Sequence, residues 1–308
     1  MLLVAERFVV RDEGGNNMQE TDLFDLNLME QYRNRAARAM HDGADFLLKY
    51  VAEEFADRLQ MVQRTFSRAV DLFGFNGVVA DALQRSNKVD KIIRIETSDI
   101  WLTGASHGYT SSRTTIQFPQ QNVDLIVSLL SLHLANDILG NLIQINRALR
   151  PDGLFMAALL GSGTLHELRD SLLTAETELF GGASPRVSPF GDIKDLGALL
   201  QRAGFNLPVT DVDPLTVRYN TMFELMADLR NMGMQNALTG RSHRPVSKRF
   251  FTRAAEIYAN KYSDPDHRIR ATFSIIWLSG WAPAPGQQQP AKPGSARHSL
   301  KDVLSKND

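Results

Sequence analysis

The strongest constraint on this chain is a repeated alternation. Short apolar runs end in turns, and each is followed by a helix with one buried side. Val123–Leu130 is nearly all apolar, and Asn136-Asp137 then caps a helix whose inward side carries Leu139, Leu142, Ile143 and Leu149. That helix stops before Pro151, and Asp152-Gly153 turns the chain into a second apolar run, Leu154–Leu160. A strand with no polar face is covered on both sides. Strands joined by helices at this spacing need right-handed crossovers, so the pattern predicts an α/β fold with a mainly parallel sheet flanked by helices.

The same pattern extends in both directions. Helical spacing from Leu23 to about Val62 predicts two N-terminal helices broken near Gly43. Ala69–Leu72 reads as a strand stopped by Gly74 and Gly77, Val78–Leu83 as the next helix and Lys91–Glu96 as a second strand. Further on, Thr164 with Glu167 has the form of a capping box, and so has Thr221 with Glu224. A helix opening at the first of these, and another ending at Ala203-Gly204, form a helical insertion. Lys248–Tyr262 reads as a helix and Ala271–Gly280 as a final strand. The expected organisation is a flexible N-terminus over 1–22, in which Met18 offers a second start, then one domain over 23–281. The Pro-, Gln-, Gly- and Ser-rich stretch 282–308 reads as a disordered tail.

Charge and composition remove several functional classes. Lys plus Arg total 34 against 35 for Asp plus Glu, a formal net charge of -1 that gives no field for nucleic acid. With no cysteine, thiolate metal sites and cysteine nucleophiles are excluded. The histidines show no paired ligand spacing, so no metal site is expected. No apolar run spans a bilayer, and Glu6-Arg7 interrupts the apolar opening, which does not read as a signal peptide. The expected setting is the cytoplasm, without stable membrane insertion.

Three places can carry chemistry. The turn after Asp71, with Gly74 and Gly77, lies where a strand hands over to a helix, a position suited to a nucleotide-like cofactor. The same glycines equally suit a plain turn. Glu96 ends the second strand about 20 positions beyond, where ribose hydroxyls are held, or it is a solvated strand-end carboxylate. The stretch from Ser128 to Asp137 closes the third strand, and His133 within it is a base, a substrate contact or a hydrogen-bonded loop residue.

Several blocks together resemble a known family: Phe24-Asp25-Leu26-Asn27-Leu28 with Arg35-Ala36-Ala37-Arg38, Val123–His133 with Asn136-Asp137, Arg150-Pro151-Asp152-Gly153, Gly163–Arg169, Ser188-Pro189-Phe190, Arg202-Ala203-Gly204-Phe205 and Met222–Leu229. The series is similar to the methyltransferase-like assembly factors of respiratory complex I, whose mitochondrial member is an arginine hydroxylase. The Gly-Thr-Leu-x-Glu-Leu-Arg block is also similar to the malonyl-acyl-carrier-protein methyltransferases of biotin synthesis. The resemblance implies a class I methyltransferase (Rossmann-like) fold, S-adenosyl-L-methionine as cofactor and a protein substrate, in particular a complex I subunit, with a peripheral place at the inner membrane as an alternative setting. It implies cofactor contacts from Asp71, Gly74, Gly77, Glu96 and Ser128, and substrate contacts from His133, Thr164, Glu167 and Arg169.

Two departures from the family pattern stand out. The family has Asp-Leu-Gly-Cys-Gly-x-Gly after the first strand, and here Phe73 and Phe75 hold two glycine positions while Gly74 replaces the cysteine. Ser111–Thr115 stands where the family has acidic residues before the third strand. The expectation is a methyltransferase with an eroded loop. The alternatives are a malonyl-acyl-carrier-protein O-methyltransferase and a non-catalytic assembly factor.

Overall fold

A computed structural model describes residues 22–39, 41–118 and 123–288. Most of the expected N-terminal stretch and of the expected tail lies outside the described residues. A seven-stranded sheet runs through the centre. Its strands are β1 (Phe66–Leu72), β2 (Val89–Glu96), β3 (Gly108–Thr110), β4 (Val123–Leu129), β5 (Leu149–Leu160), β6 (Asn206–Tyr219) and β7 (Ile269–Trp281), in the order β3-β2-β1-β4-β5-β7-β6. Strands β1 to β5 pair in parallel, whereas β7 runs antiparallel to both β5 and β6. The helices are α1 (Leu26–Ala39), α2 (Phe46–Met61), α3 (Val78–Arg85), α4 (Ile138–Ala148), α5 (His166–Phe180), α6 (Ile193–Arg202), α7 (Met222–Asn231) and α8 (Lys248–Tyr262). Apolar side chains of α2, α3, α5, α7 and α8 cover one face of the sheet, and those of α4 and α6 cover the other. Every residue of β4 is buried, as a strand covered on both faces requires.

Strands β3 and β6 and the start of α5 differ from the sequence reading, β3 being a three-residue strand at the sheet edge. Strand β6 was not anticipated, because Pro208 and Pro214 interrupt its alternating pattern. As the edge strand beside β7 it tolerates prolines that a central strand would not. The expected capping box at Thr164 does not form. Leu165 takes the cap position at φ 50, and Thr164 Oγ1 instead receives the Ser274 N–H at 3.1 Å. Glu167 turns to β7, accepting from Thr272 N at 3.2 Å and Thr272 Oγ1 at 2.5 Å. The second box does form its leading bond, from Glu224 N to Thr221 Oγ1 at 3.2 Å. Beyond β7 the chain stays attached to the sheet, for Gln287 Nε2 donates to Asp152 Oδ1 at 2.8 Å and to the Ala282 carbonyl at 2.9 Å.

The N-terminal helices close the carboxyl end of the sheet. Asn136 clamps the chain ahead of α1, its Oδ1 accepting from Phe24 N at 2.8 Å and its Nδ2 donating to the Phe24 carbonyl at 3.0 Å. After α7, Gly233 sits at φ 71, and a Cβ there would come within 2.9 Å of the Arg33 Cα. Only glycine lets the two segments meet so closely, and this contact presses Arg33 into the interior.

Because Glu167 ties α5 to β7 from a buried position, Glu167→Ala is expected to destabilise the fold by about 1–3 kcal/mol through its unpaired partners. Urea unfolding should show a lower midpoint at unchanged slope. An unchanged midpoint would mean that the carboxylate serves a ligand rather than the fold.

Candidate functional site

Parallel pairing of β1 with β2 sets Asp71 opposite Arg94 and Leu72 opposite Ile95, so the carboxyl ends of the two strands open side by side. Residues two apart on a strand share a face, which aligns Arg94 with Glu96. Four of the five residues expected at a cofactor, Asp71, Gly74, Gly77 and Glu96, lie together at these strand ends. Gly74 lies against Asp71, where a Cβ would fall 2.0 Å from Oδ1, and Gly77 lies at φ 92 with a virtual Cβ 3.3 Å from Arg94 Nη1. Ser128 is buried on β4, its Oγ without a partner among the described residues.

What fills the crevice is arginine. The Arg94 guanidinium lies 3.5 Å from Asp71 Oδ2 and 3.5 Å from Glu96 Oε1. It also donates to the Trp101 carbonyl at 2.7 Å and to the Phe75 carbonyl. Arg113, from the segment that replaces the family's acidic residues, donates to Ser131 Oγ at 2.8 Å, and its guanidinium carbon stands 4.8 Å from the Phe73 ring centre. Arg33 reaches in from α1, its guanidinium carbon 3.3 Å from the Phe75 ring centre. All three arginines are buried. None was singled out from sequence. The legible signal was Arg94, a cation within the apolar run Ile92–Ile95.

The two phenylalanines complete the closure. Phe73 and Phe75 take φ values of 57 and 65, the left-handed region that glycine enters without strain. Phe73 is fully buried, and Phe75 meets the edge of Trp101 at 5.8 Å between ring centres. Burial pushes the Asp71 carboxyl up to about 6, with Arg94 pulling against it. Burial, reinforced by Asp71, likewise raises Glu96 well above its ordinary value, against the pull of Arg94, Arg33 and Arg113. An adenosyl group here needs close backbone approach at the loop and a free ribose acceptor at the end of β2. As arranged, Glu96 is only 1% exposed beneath Arg94 and both glycine positions carry rings, which leaves little room for that group, while both Glu96 oxygens lack a hydrogen-bond partner among the described residues, as a ribose acceptor would.

Open space lies elsewhere. A cavity of about 660 Å³ is enclosed by α1, the start of α2, the loop after α7 and the Val187–Phe190 loop. His133, Arg33, Phe75 and Trp101 line it, whereas Asp71, Gly74, Gly77, Glu96 and Ser128 do not. Of the expected substrate residues only His133 faces this space. Thr164 and Glu167 bond to β7, and Arg169 donates to the carbonyls of Thr164 at 3.4 Å and Ser188 at 3.2 Å. Their own segment still supplies Leu165 and Leu168 to the wall. Among the described residues no group of three or more His, Asp or Glu side chains is placed to hold a metal ion.

The family described as a methyltransferase domain matches residues 73–157. The rat protein "Arginine-hydroxylase NDUFAF5, mitochondrial" is 37% identical over 309 aligned residues, covering 97% of this chain and 89% of that one. The chain belongs to the NDUFAF5 family. It is a methyltransferase-like protein of the class I superfamily. A Methylovorus malonyl-[acyl-carrier protein] O-methyltransferase is 28% identical over 92% of this chain and 94% of its own length. A solved Bacillus halodurans structure, described provisionally as a methyltransferase, superposes with a TM-score of 0.50 at 12% identity. It covers 75% of this chain and 98% of its own, and bears on the fold alone. The NDUFAF5 relatives are designated mitochondrial, which overturns the expected cytoplasmic setting. Among the described residues no helix is long and apolar enough to cross a membrane.

His133 gives the site a measurable signature. Burial, then the charges of Arg33 and Arg113, push its imidazole down to about 3. The unfolded chain takes up a proton near the ordinary 6.5, while the folded chain does so only near 3. This histidine therefore removes stability as pH falls through that window. Asp71, raised from 3.8 to about 6, acts in the opposite sense, since the folded state holds a proton that the unfolded state releases. His133→Leu isolates the first effect. Between pH 6.5 and 4.5 the variant should lose less stability than the parent by on the order of 2 kcal/mol in urea unfolding. Parallel pH profiles for variant and parent would refute the burial of a neutral imidazole.

Proposed function

We propose that this chain is a protein-binding member of the complex I assembly factor family, working without turnover of S-adenosyl-L-methionine. Its partner on this reading is a complex I subunit, held through the cavity that His133 lines. The observation that carries the proposal is the Arg94 guanidinium, which meets both Asp71 and Glu96 where an adenosyl group would have to lie. Phe73 and Phe75 support it, since each places a ring where close backbone approach is needed. Fold does not fix activity. In this reading the chain's own cations occupy the carboxylates that would otherwise receive ribose hydroxyls.

Calorimetry with S-adenosyl-L-methionine is the direct test. No heat is expected at millimolar ligand, and micromolar binding that Glu96→Ala abolishes would overturn the proposal. Affinity capture with the full chain then addresses the partner. Recovery of a complex I subunit is expected, whereas recovery of acyl carrier protein would favour the malonyl-transferase relatives instead.

A further inference from the structure

One surface carries more positive charge than the fold accounts for. The stretch from Arg241 to Arg253 holds Arg241, His243, Arg244, Lys248, Arg249 and Arg253 and no carboxylate, in a chain whose formal net charge is -1. Two of its cations have partners, for Arg241 lies 3.5 Å from Asp25 Oδ2 and Arg253 lies 2.7 Å from Glu178 Oε2. His243, Arg244, Lys248 and Arg249 are exposed, and among the described residues none of them meets a carboxylate within 4.0 Å. Lys248 and Arg249 also stand in the first turn of α8, where the free peptide N–H groups already make the helix end positive. The first turns of α3, α5, α6 and α7 each hold an acidic residue, Asp81, Glu167, Asp195 and Glu224. Helix α8 has none, so its cations add to the dipole where those helices offset it.

Both ends of this stretch have defined neighbours. Helices α5 and α8 run antiparallel, with Lys261 donating to Asp170 at 2.9 Å and Arg253 to Glu178 at 2.7 Å. That arrangement brings Phe180, the last residue of α5 and 59% exposed, to the start of α8, where it stacks on Phe250 with 6.1 Å between ring centres. At the other end the stretch begins beside the cavity. Gln235, Asn236 and Ala237 line the cavity, Asn236 Nδ2 donates to the Pro185 carbonyl at 2.9 Å, and Arg241 donates to the Leu238 carbonyl at 2.8 Å. A cationic strip thus leads from the cavity wall to an exposed aromatic ring.

We propose that this strip docks an acidic segment of the protein partner, one that flanks the part held at the cavity. Carboxylates along such a segment answer Arg244, Lys248 and Arg249, and the N-terminal end of α8 attracts the same charge. An apolar side chain of the segment rests on Phe180. A broad anionic plane is a poorer match, because Glu178 and Glu256, whose side chains are 42% and 55% exposed, flank Arg253 and would be pressed against it. An extended chain follows the cations without meeting those carboxylates. The assignment rests on the reading that a protein is held at the cavity, and adds to it the charge of that protein's flank.

Fluorescence anisotropy on the full chain reads the docking. The probes are a labelled peptide of alternating glutamate and serine with one central leucine, and its twin with glutamine at every glutamate. At low ionic strength the glutamate peptide should bind at least about tenfold more tightly than its twin, and added salt should shrink the difference. The triple variant Arg244→Glu, Lys248→Glu, Arg249→Glu should erase the preference. A double variant at exposed positions elsewhere, Arg85→Glu with Lys91→Glu, should keep it. The triple variant's urea midpoint should hold or rise, since acidic residues suit the first turn of α8. A lower midpoint would mean that the cations hold the fold, and equal affinity for the two peptides would mean that no acidic segment is selected; either overturns the proposal. So would binding to vesicles of equal phosphatidylcholine and phosphatidylglycerol with no peptide preference, or self-association of the chain that the triple variant abolishes. Capture of the complex I subunit separates this proposal from the reading beneath it. Undiminished capture by the triple variant sinks the strip and leaves the partner, whereas peptide preference without any capture sinks the partner and leaves the strip.

Discussion

The Arg94 guanidinium holds together the carboxyl ends of β1 and β2. It projects from β2 on the same face as Glu96, reaches across to Asp71 on β1, and donates to the carbonyls of Phe75 and Trp101. A cation this deeply buried is tolerated only with close anionic and carbonyl partners, and the crevice supplies both. The same bonds fix the loop after β1, because the Phe75 carbonyl is anchored from within. The chain thereby organises this turn with its own side chain.

That anchoring explains how two phenylalanines persist in backbone conformations suited to glycine. A non-glycine residue in the left-handed region costs on the order of 1–3 kcal/mol where its surroundings hold it there. At Phe75 the opposing gain comes from Arg33 stacked on the ring and from the Trp101 edge. At Phe73 it comes from complete burial and from Arg113 above the ring. Glycine at either position would relieve the backbone but leave a guanidinium without its aromatic neighbour. The substitutions at the loop and the arginines around it therefore work as one packed unit.

Much of the architecture was legible because local pattern and tertiary demand agree. The all-apolar run of β4, the Asp137 cap of α4, which accepts from Gly140 N at 2.7 Å, and the helix Lys248–Tyr262 all satisfy both. Agreement fails at Thr164 and Glu167, where the sequence offers a cap but β7 offers better partners, and long-range bonds win over the local one. It fails again at β6, since proline weighs against a strand unless the strand is known to lie at an edge. At the site, the meeting of Asp71 and Glu96 followed from two adjacent parallel strands. The arginines did not follow. A cation on a strand or an amphipathic helix reads as solvated, and only the approach of α1 past Gly233 drives Arg33 inward.

The closure of the crevice reaches α1 through that residue. Arg33 belongs to α1, and its guanidinium has two usable surfaces: the face, which lies on Phe75 and seals the loop, and the edge, which has no protein acceptor. Had the glycine positions of the loop been kept, no ring would support the face, and Arg33 would lack the contact that fixes its plane. With Phe75 present, the plane is set and the donors at its edge are directed rather than free to turn. The loop change that narrows the crevice is thus the same change that fixes the plane of Arg33.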